Sequence, residues 1–362
     1  MESKKLNVAI VTDYLAPYQG NFFHSILELH NTLVKCGGKV IYLFSSSAKN
    51  IEWIKLLKDN GYIVEFLPDQ SRNKAISIIN LLKKYNLNII HSHFCLPKTQ
   101  VIVKMICSIK QVYLIQHYHN HYALNGNILK KHLLKWSLNG NFNIGCSESV
   151  FRSIPFKKKI AVTNSIVFKR LDQFDQEFIY KKNSEETKVI IMLGFDYYRK
   201  GVDLAIRAMQ TLVRRYKVCL KIVVSVNQDR IKEYIIRDFG VVPDWVEILP
   251  PREDIATYYK AADIFLQTAR EEGFCYALVE AVYCNLYCIS SKIDGVPNQI
   301  PNLIEYESED ITGLINACET VLTMTNSNED KRESYQYVIN KFGIEYWIDQ
   351  IINCYNLVIG RS

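Results

Sequence analysis

Residues Thr268 to Pro301 read TAREEGFCYALVEAVYCNLYCISSKIDGVPNQIP, and the rest of the chain is organised around this segment. It holds two glutamates, Glu272 and Glu280, separated by a glycine, a short loop and a helical run that ends in the second glutamate. A helix that begins near Phe274 leaves backbone N–H groups free at its start, and such groups bind phosphate. The spacing therefore predicts two carboxylates on either side of a phosphate-binding helix start. The alternative is one glutamate at a turn and another on a helix face, with no shared ligand.

This spacing resembles the E-x7-E signature of retaining GT-B glycosyltransferases, specifically the large bacterial family four (glycosyl transferases group 1). The resemblance implies that Glu280 accepts hydrogen bonds from ribose hydroxyls and that Glu272 binds hydroxyls of the transferred sugar. It also implies that phosphate or sugar contacts the amides of four consecutive residues, Phe274, Cys275, Tyr276 and Ala277. Cys275 stands where the family usually has a second glycine, which leaves the identity of the sugar open.

The loop from Gly194 to Gly201, GFDYYRKG, lies upstream between a predicted strand and a predicted helix. It resembles the phosphate-binding loop of the same family, in which an arginine and a later lysine neutralise the diphosphate of the donor. Lys200 matches the lysine, whereas Phe195 occupies the place of the arginine and Arg199 is expected to substitute for it. Cations are needed here because the departing nucleoside diphosphate gains charge as the glycosidic bond breaks. An ordinary loop pair of arginine and lysine is the alternative.

Short apolar, β-branched runs alternate with helical periodicity through most of the chain, which predicts right-handed βαβ units and parallel sheets. The pattern runs from Leu6 to Ile166, is interrupted by the polar segment Val167–Thr187, and restarts at Lys188. We therefore expect an α/β protein of the GT-B class with two doubly wound, Rossmann-like domains that face a central cleft. The first domain covers residues 1–167 and the second covers residues 168–343. The C-terminal helix, residues 344–362, is expected to cross back to the first domain.

Two positions in the first half match family positions by the same resemblance. Gly20 matches a glycine that lets the backbone approach donor phosphate or acceptor, and His117 matches a histidine near the reacting sugar. His117, His119 and His121 alternate along HYHNHY, and in a strand all three would point one way and could bind zinc. No carboxylate or cysteine completes such a site and the chain should turn there, so no metal and no other cofactor is expected.

The 362 residues are enough for two domains, and 48% are hydrophobic, as in soluble globular proteins. The ten cysteines contain no C-x-x-C pair, which favours reduced thiols in a cytosol. No apolar run is long enough to span a bilayer, and the N-terminus does not resemble a signal peptide. The localisation expected is cytoplasmic, at the inner face of the cell membrane.

The net charge of +7 is unevenly distributed. Residues 1–170 hold 23 basic and 8 acidic residues, a formal charge of +15, while the remainder carries −8. This asymmetry predicts that the first half contacts an anionic partner, such as a membrane surface, a lipid diphosphate or nucleic acid.

Residues 127–138 form a helical pattern with Ile128, Leu129, Leu133 and Trp136 on one face and lysines 130, 131 and 135 opposite. Together with Lys157–Lys159 it is typical of a membrane-surface helix, with a solvated surface helix as the alternative.

These observations predict a metal-independent, retaining transferase. It would move a sugar from a nucleotide sugar, UDP-linked by family frequency, to a lipid-linked or cell-surface glycan in polysaccharide biosynthesis. Lys200, Glu272 and His117 would be catalytic, and nucleic acid is not an expected partner.

The chain has no D-x-D motif, so the metal-dependent GT-A class is disfavoured. Two alternatives stay open: a UDP-sugar epimerase of the same fold, and a non-catalytic GT-B subunit that supports a partner transferase.

Overall fold

A computed structural model describes residues 5–124, 127–183, 186–225, 227–324 and 328–360. The chain divides into two compact units. The first unit comprises Met1–Ile166 and Ile344–Ser362, and the second comprises Val167–Gly343. Val226, which was predicted to end a strand, and residues 361–362, predicted within the last helix, lie outside the described residues.

The first unit is built around a seven-stranded sheet whose strands all pair in parallel. Its strands are β1 (Asn7–Thr12), β2 (Lys39–Ser45), β3 (Val64–Leu67), β4 (Ile89–His93), β5 (Tyr113–Tyr118), β6 (Phe142–Gly145) and β7 (Lys159–Ala161). Their order across the sheet is β3-β2-β1-β4-β5-β6-β7. The order reverses between β1 and β4, and ligands of such sheets bind at that switch point, beyond the carboxyl ends of the strands.

Helices connect these strands and cover the sheet, because a parallel pair needs a crossover longer than a hairpin turn. They are α1 (Asn21–Lys35), α2 (Glu52–Asp59), α3 (Ser71–Lys84), α4 (Pro97–Lys110), α5 (Ile128–Leu138) and α6 (Glu148–Ser153), with a short 3₁₀ helix at Ser46–Asn50. Every residue of β1 and β2 after the first is buried, as expected for strands that are covered on both faces.

The second unit repeats this plan with six parallel strands in the order β10-β9-β8-β11-β12-β13. It begins with a 3₁₀ helix at Phe168–Asp172 and α7 (Gln176–Asn183). The strands are β8 (Lys188–Leu193), β9 (Val218–Val223), β10 (Val246–Leu249), β11 (Ile264–Gln267), β12 (Tyr287–Lys292) and β13 (Ile304–Glu307). The further helices are α8 (Val202–Leu212), α9 (Gln228–Phe239), α10 (Ala256–Lys260), α11 (Tyr276–Tyr283), α12 (Ile311–Thr323) and α13 (Asn328–Phe342). Two doubly wound parallel sheets confirm the predicted α/β architecture.

The last helix, α14 (Ile344–Ile359), belongs to the first unit, although the whole second unit precedes it in sequence. It packs against α1, and its buried side chains include Trp347, Ile351 and Tyr355. The Tyr355 hydroxyl also lies 2.7 Å from Nδ1 of His91 in β4. This helix therefore contributes to the core of the first unit.

Three local details differ from the sequence pattern. The alternating pattern of the first half was expected to end at Ile166, whereas its last strand, β7, ends at Ala161 and pairs with β6 only from Lys159 to Ala161. The polar segment Val167–Thr187, where the interdomain linker was expected, contains a 3₁₀ helix and α7; its residues 184–185 lie outside the described part of the chain. The short α6, whose N-cap is the Ser147 side chain, was not predicted.

Among the helices of the described residues, none has both the length and the apolar composition that a membrane span requires.

Candidate active site

The two sequence segments with the predicted donor residues meet at the switch point of the second sheet. β8 and β11 are neighbours there, and the loop Gly194–Gly201 follows β8 while the glutamate stretch follows β11. The Thr268 hydroxyl donates to the carbonyl oxygens of Lys200, at 2.9 Å, and Gly201, at 2.8 Å. Gly201 has φ +65°, and a Cβ there would come within 2.0 Å of the Thr268 carbonyl oxygen. Only glycine therefore fits this close approach.

Arg270 also links the loop Gly194–Gly201 to the glutamate stretch. Its backbone amide donates to the Arg199 carbonyl oxygen at 2.9 Å, and its guanidinium makes two 2.9 Å hydrogen bonds to the carboxylate of Asp203 in α8. A further bond of 2.8 Å joins it to Glu309. The hydrogen bonds to Asp203 are the main cause that raises the pKa of Arg270. Charge-assisted hydrogen bonds thus hold the loop and the glutamate stretch together.

Lys200 of the loop and Glu272 of the glutamate stretch form a largely buried ion pair. Arg199 lies at its edge, with Nη1 4.0 Å from Glu272 Oε2. The Phe195 ring, which stands in the place of the family arginine, lies 4.9 Å from Lys200 Nζ and 5.1 Å from the Arg199 guanidinium carbon. These are cation–π distances. The ring therefore packs against both cations, and the structure brings together Arg199, Lys200 and Glu272 as the sequence predicted.

The backbone of Glu272 is held by the later loop Asp294–Pro297. Gly295 has φ +85°, and a Cβ there would lie 2.1 Å from the Glu272 carbonyl oxygen. The amide of Cys275 donates to the Gly295 carbonyl oxygen at 3.0 Å. A side chain at residue 295 would consequently displace both Glu272 and the start of α11.

The helix start differs in detail from the expectation of four amides directed at a ligand. The amide of Cys275 is bonded to Gly295, and that of Tyr276 donates to the Phe274 carbonyl oxygen at 3.1 Å. Phe274 and Cys275 are buried, and Ala277 lies in the first turn of α11. Burial raises the pKa of the Cys275 thiol to about 12, so that thiol is neutral and is not a nucleophile.

Glu280 is only 2% exposed, and its carboxylate already has partners in the protein. Oε1 is paired with the guanidinium of Arg170, and Oε2 accepts a hydrogen bond of 3.1 Å from the buried Tyr259 hydroxyl. Sequence reasoning missed Arg170, because it lies 110 positions away in a polar segment and carries no motif. The nearest signal was the placement of a charged residue, Arg170, beside the apolar positions Phe168 and Leu171.

The corresponding edge of the first sheet is lined by histidines. β4 and β5 pair in a register that sets His93 opposite His117, and His91 lies two residues earlier on the same face. His117 Nδ1 lies 3.3 Å from His91 Nε2, and His93 Nδ1 lies 2.9 Å from His119 Nε2. His117 Nε2 and His93 Nε2 are buried and have no hydrogen-bond partner among the described residues. Burial lowers the pKa of His117 to about 3, so its imidazole is neutral at physiological pH.

The set of His117, His119 and His121 is not the group that lies within metal-ligand reach. β5 ends at Tyr118, and His121 turns away so that its Nε2 lies 3.1 Å from the Ser149 hydroxyl. In the described residues, the histidines with ligand atoms all within 4.8 Å of one another are His91, His93 and His117. The neighbouring strand supplies the second and third imidazoles, which a pattern within one strand could not indicate.

Gly20 is the N-cap of α1, directly after the loop that follows β1. A Cβ at this position would come within 2.6 Å of the Tyr14 hydroxyl, so the space above the glycine is covered by that side chain. Two residues later, the Phe22 ring lies 6.0 Å from His93 and 5.4 Å from His119. The predicted Gly20 and His117 therefore belong to one neighbourhood of the first unit.

Residues 173–336 match the sequence profile of the family described as Glycosyl transferases group 1. The chain contains a glycosyl transferases group 1 domain. This domain spans the Gly194–Gly201 loop and the glutamate stretch, and it identifies the protein as a glycosyltransferase.

The comparisons with individual proteins agree with this domain. The gpi3 subunit of phosphatidylinositol N-acetylglucosaminyltransferase from Schizosaccharomyces pombe is 22% identical over 94% of this chain and 77% of its own length. A glycosyltransferase crystal structure from Rickettsia africae superposes with a TM-score of 0.82 at 17% identity, over 99% of this chain and 100% of that one. The structure of Anabaena HepE in complex with UDP and glucose gives 0.80 at 15% identity, over 97% and 99%. The predicted GT-B fold class is thereby confirmed, whereas the bacterial polysaccharide setting stays a prediction.

Proposed function

We propose that this glycosyltransferase moves a sugar from a UDP-linked donor to a lipid-linked acceptor, with retention of the anomeric configuration. The observation that carries the proposal is the cluster of Lys200, Arg199 and Glu272 at the switch point of the second sheet. Two cations and a sugar-binding carboxylate at this place suit a ligand with a diphosphate and a sugar. The complex of the similar HepE with UDP and glucose supports a UDP-linked donor.

In this proposal, Lys200 and Arg199 stabilise the charge that develops on the departing diphosphate. Glu272, which is paired with Lys200, orients the hydroxyls of the transferred sugar, and Glu280 accepts from the ribose. Within the second unit, the start of α11 supplies further donor contacts. In the first unit, His117 is proposed as a neutral hydrogen-bonding group for a sugar hydroxyl, through its buried Nε2. No metal is assigned a step, because lysine and arginine supply the positive charge.

The acceptor is proposed to be a membrane lipid or a glycan linked to one, and the enzyme to act at the cytoplasmic face of the membrane. The relative from S. pombe is named for phosphatidylinositol and N-acetylglucosamine, so these are the first acceptor and sugar to test. On α5, Ile128 and Leu129 are 74% and 82% exposed, and Leu133 and Trp136 are also exposed. Lys130, Lys131 and Lys135 lie beside this apolar face, a pattern typical of helices in anionic membrane interfaces.

The experiment that tests the function offers the purified full chain a panel of UDP- and GDP-sugars, with and without vesicles that contain phosphatidylinositol. We expect UDP release and a glycosylated lipid with one UDP-sugar, and much slower release without acceptor. Rapid turnover of the donor without any acceptor would instead indicate the epimerase alternative. Tight UDP binding with no turnover under any condition would indicate a non-catalytic subunit.

A further inference from the structure

The segment that opens the second unit is packed directly on the helix that carries Glu280. The Phe168 ring stacks on the Tyr283 ring of α11 with centroids 4.6 Å apart, and the Tyr283 hydroxyl donates to Asp172 Oδ1 at 2.8 Å. These two contacts hold the 3₁₀ helix Phe168–Asp172 in place on α11. Arg170, between them, is thereby directed at Glu280.

The ion pair of Arg170 and Glu280 is far less accessible than most ion pairs of this protein. The side chains are 17% and 2% exposed, whereas both partners in the pair of Arg215 and Glu319 are more exposed, at 58% and 24%. A buried carboxylate requires a counter-charge to stay ionised, and removal of one partner from a buried pair is costly. Arg170 is therefore the group that allows Glu280 to be a carboxylate in this apolar place.

The two partners of Glu280 also fix its orientation. Arg170 engages Oε1 while the Tyr259 hydroxyl donates to Oε2, so rotation of the carboxylate would break both contacts. Each carboxylate oxygen has a second lone pair that stays available to another donor. The carboxylate therefore keeps acceptor capacity for a diol beyond these two contacts.

We propose that Arg170 is a positioning residue for the donor nucleoside, which holds Glu280 ionised and in one orientation as the acceptor for ribose hydroxyls. This inference rests on the proposed function, in which Glu280 binds the ribose. It assigns part of the donor site to the segment Phe168–Asp172, which lies outside the matched domain of residues 173–336. Arg170 acts through Glu280, and no direct contact with the sugar is required of it.

The test measures UDP binding to the full chain by calorimetry, for Arg170→Gln, Arg170→Lys and Glu280→Gln. We expect Arg170→Gln to weaken binding by about tenfold or more, since hydrogen bonds to charged groups are the stronger ones. Arg170→Lys should retain part of the affinity because it keeps the positive charge. Arg215→Gln is the matched control: it breaks an exposed arginine–glutamate pair of the same unit and should leave UDP binding unchanged.

A pH series separates positioning from a purely structural role. A buried carboxylate that has lost its counter-charge binds a proton more readily, so the UDP affinity of Arg170→Gln should fall as the pH is lowered from 8 to 6. The double variant Arg170→Gln/Glu280→Gln has no carboxylate to titrate and should lack this additional fall. A structural role alone would lower the melting temperature without a pH dependence that vanishes in the double variant.

Several outcomes would overturn the proposal. UDP binding by Arg170→Gln within twofold of the wild type, with Glu280→Gln impaired, rejects the role of Arg170 and leaves the proposed function intact. Wild-type binding by Glu280→Gln rejects the ribose assignment itself, and the role of Arg170 with it. If Arg170→Gln does not fold, Arg170→Lys decides: affinity and pH dependence identical to the wild type contradict a role that depends on the guanidinium geometry.

Discussion

The carboxyl edges of the two sheets have the same topology and very different chemistry. In the first unit, the edge beyond β4 and β5 carries His91, His93 and His117, all buried and all with pKa values lowered by burial. In the second unit, the edge beyond β8 and β11 carries the ion pair of Lys200 and Glu272. The first edge therefore offers neutral hydrogen-bonding groups, and the second offers fixed charges.

The net positive charge of the first half does not lie at the carboxyl edge of its sheet. Residues 1–170 carry +15, yet the strand ends there present neutral imidazoles, and the lysines lie on exposed helices such as α5. In the second half, which carries −8 overall, two cations are concentrated beside Glu272. The edge of the second unit thus presents cations that suit an anionic ligand, whereas the edge of the first unit presents neutral groups.

The largest expected effect is the loss of turnover caused by Lys200→Ala at the second edge. Loss of the cation should lower kcat by about a hundredfold, since one contact of this kind contributes roughly 3 kcal/mol to the transition state. Turnover of the UDP-sugar identified in the screen is the measurement, with thermal unfolding as a check on folding. Lys221→Ala is the control and should keep full turnover, since it removes only the β9 lysine that pairs with Glu247 of β10. Unchanged turnover after removal of both Lys200 and Arg199 would refute the assignment of the diphosphate.

The segments that meet at this second edge could be found in the sequence because their information is local. The E-x7-E spacing, the lysine at 200 and the strand–loop–helix order all lie within short segments, and the parallel topology then brings the segments together. Arg170 and the histidines His91 and His93 could not be paired with their partners in the same way. Their contacts depend on strand register and on how a polar segment folds back, which a single sequence does not encode locally.

The exposed lysines of α5 provide a smaller effect at the other region. Replacement of Lys130, Lys131 and Lys135 by glutamine should weaken binding to anionic vesicles by about tenfold at low salt, since each cation near such a surface contributes up to roughly 1 kcal/mol. The difference should shrink as salt rises, because exposed charges are screened over about 10 Å. Transfer to a lipid acceptor should slow, while donor hydrolysis stays nearly intact. Vesicle sedimentation beside the hydrolysis assay measures both quantities.

The matched control for this variant is the triple substitution of Lys49, Lys55 and Lys58 by glutamine. It removes the same charge from exposed positions of the 3₁₀ helix Ser46–Asn50 and of α2 in the same unit. Lys159 is left unchanged in both variants, because its ammonium donates to the carbonyl oxygens of Phe151 and Ile154 and so has a structural role. Equal losses of vesicle binding in the two triple variants would show that only net charge matters. Equal binding of the wild type to neutral and anionic vesicles would reject the membrane role of α5.

The smallest effect on turnover is expected from metal removal. This experiment tests whether the first edge is neutral. If Lys200 and Arg199 neutralise the diphosphate, turnover should be the same before and after dialysis against EDTA. The buried group of His91, His93 and His117 is the place in the described residues where a metal would contradict this expectation. Metal analysis of the purified protein should then be run on the wild type and on His93→Gln, with His121→Gln as the control, since His121 lies away from that group. Stoichiometric zinc that disappears in His93→Gln together with turnover, but persists in His121→Gln, would place a charged centre at the first edge. The contrast between a neutral edge and a charged edge would then fail, because each edge would carry a cation.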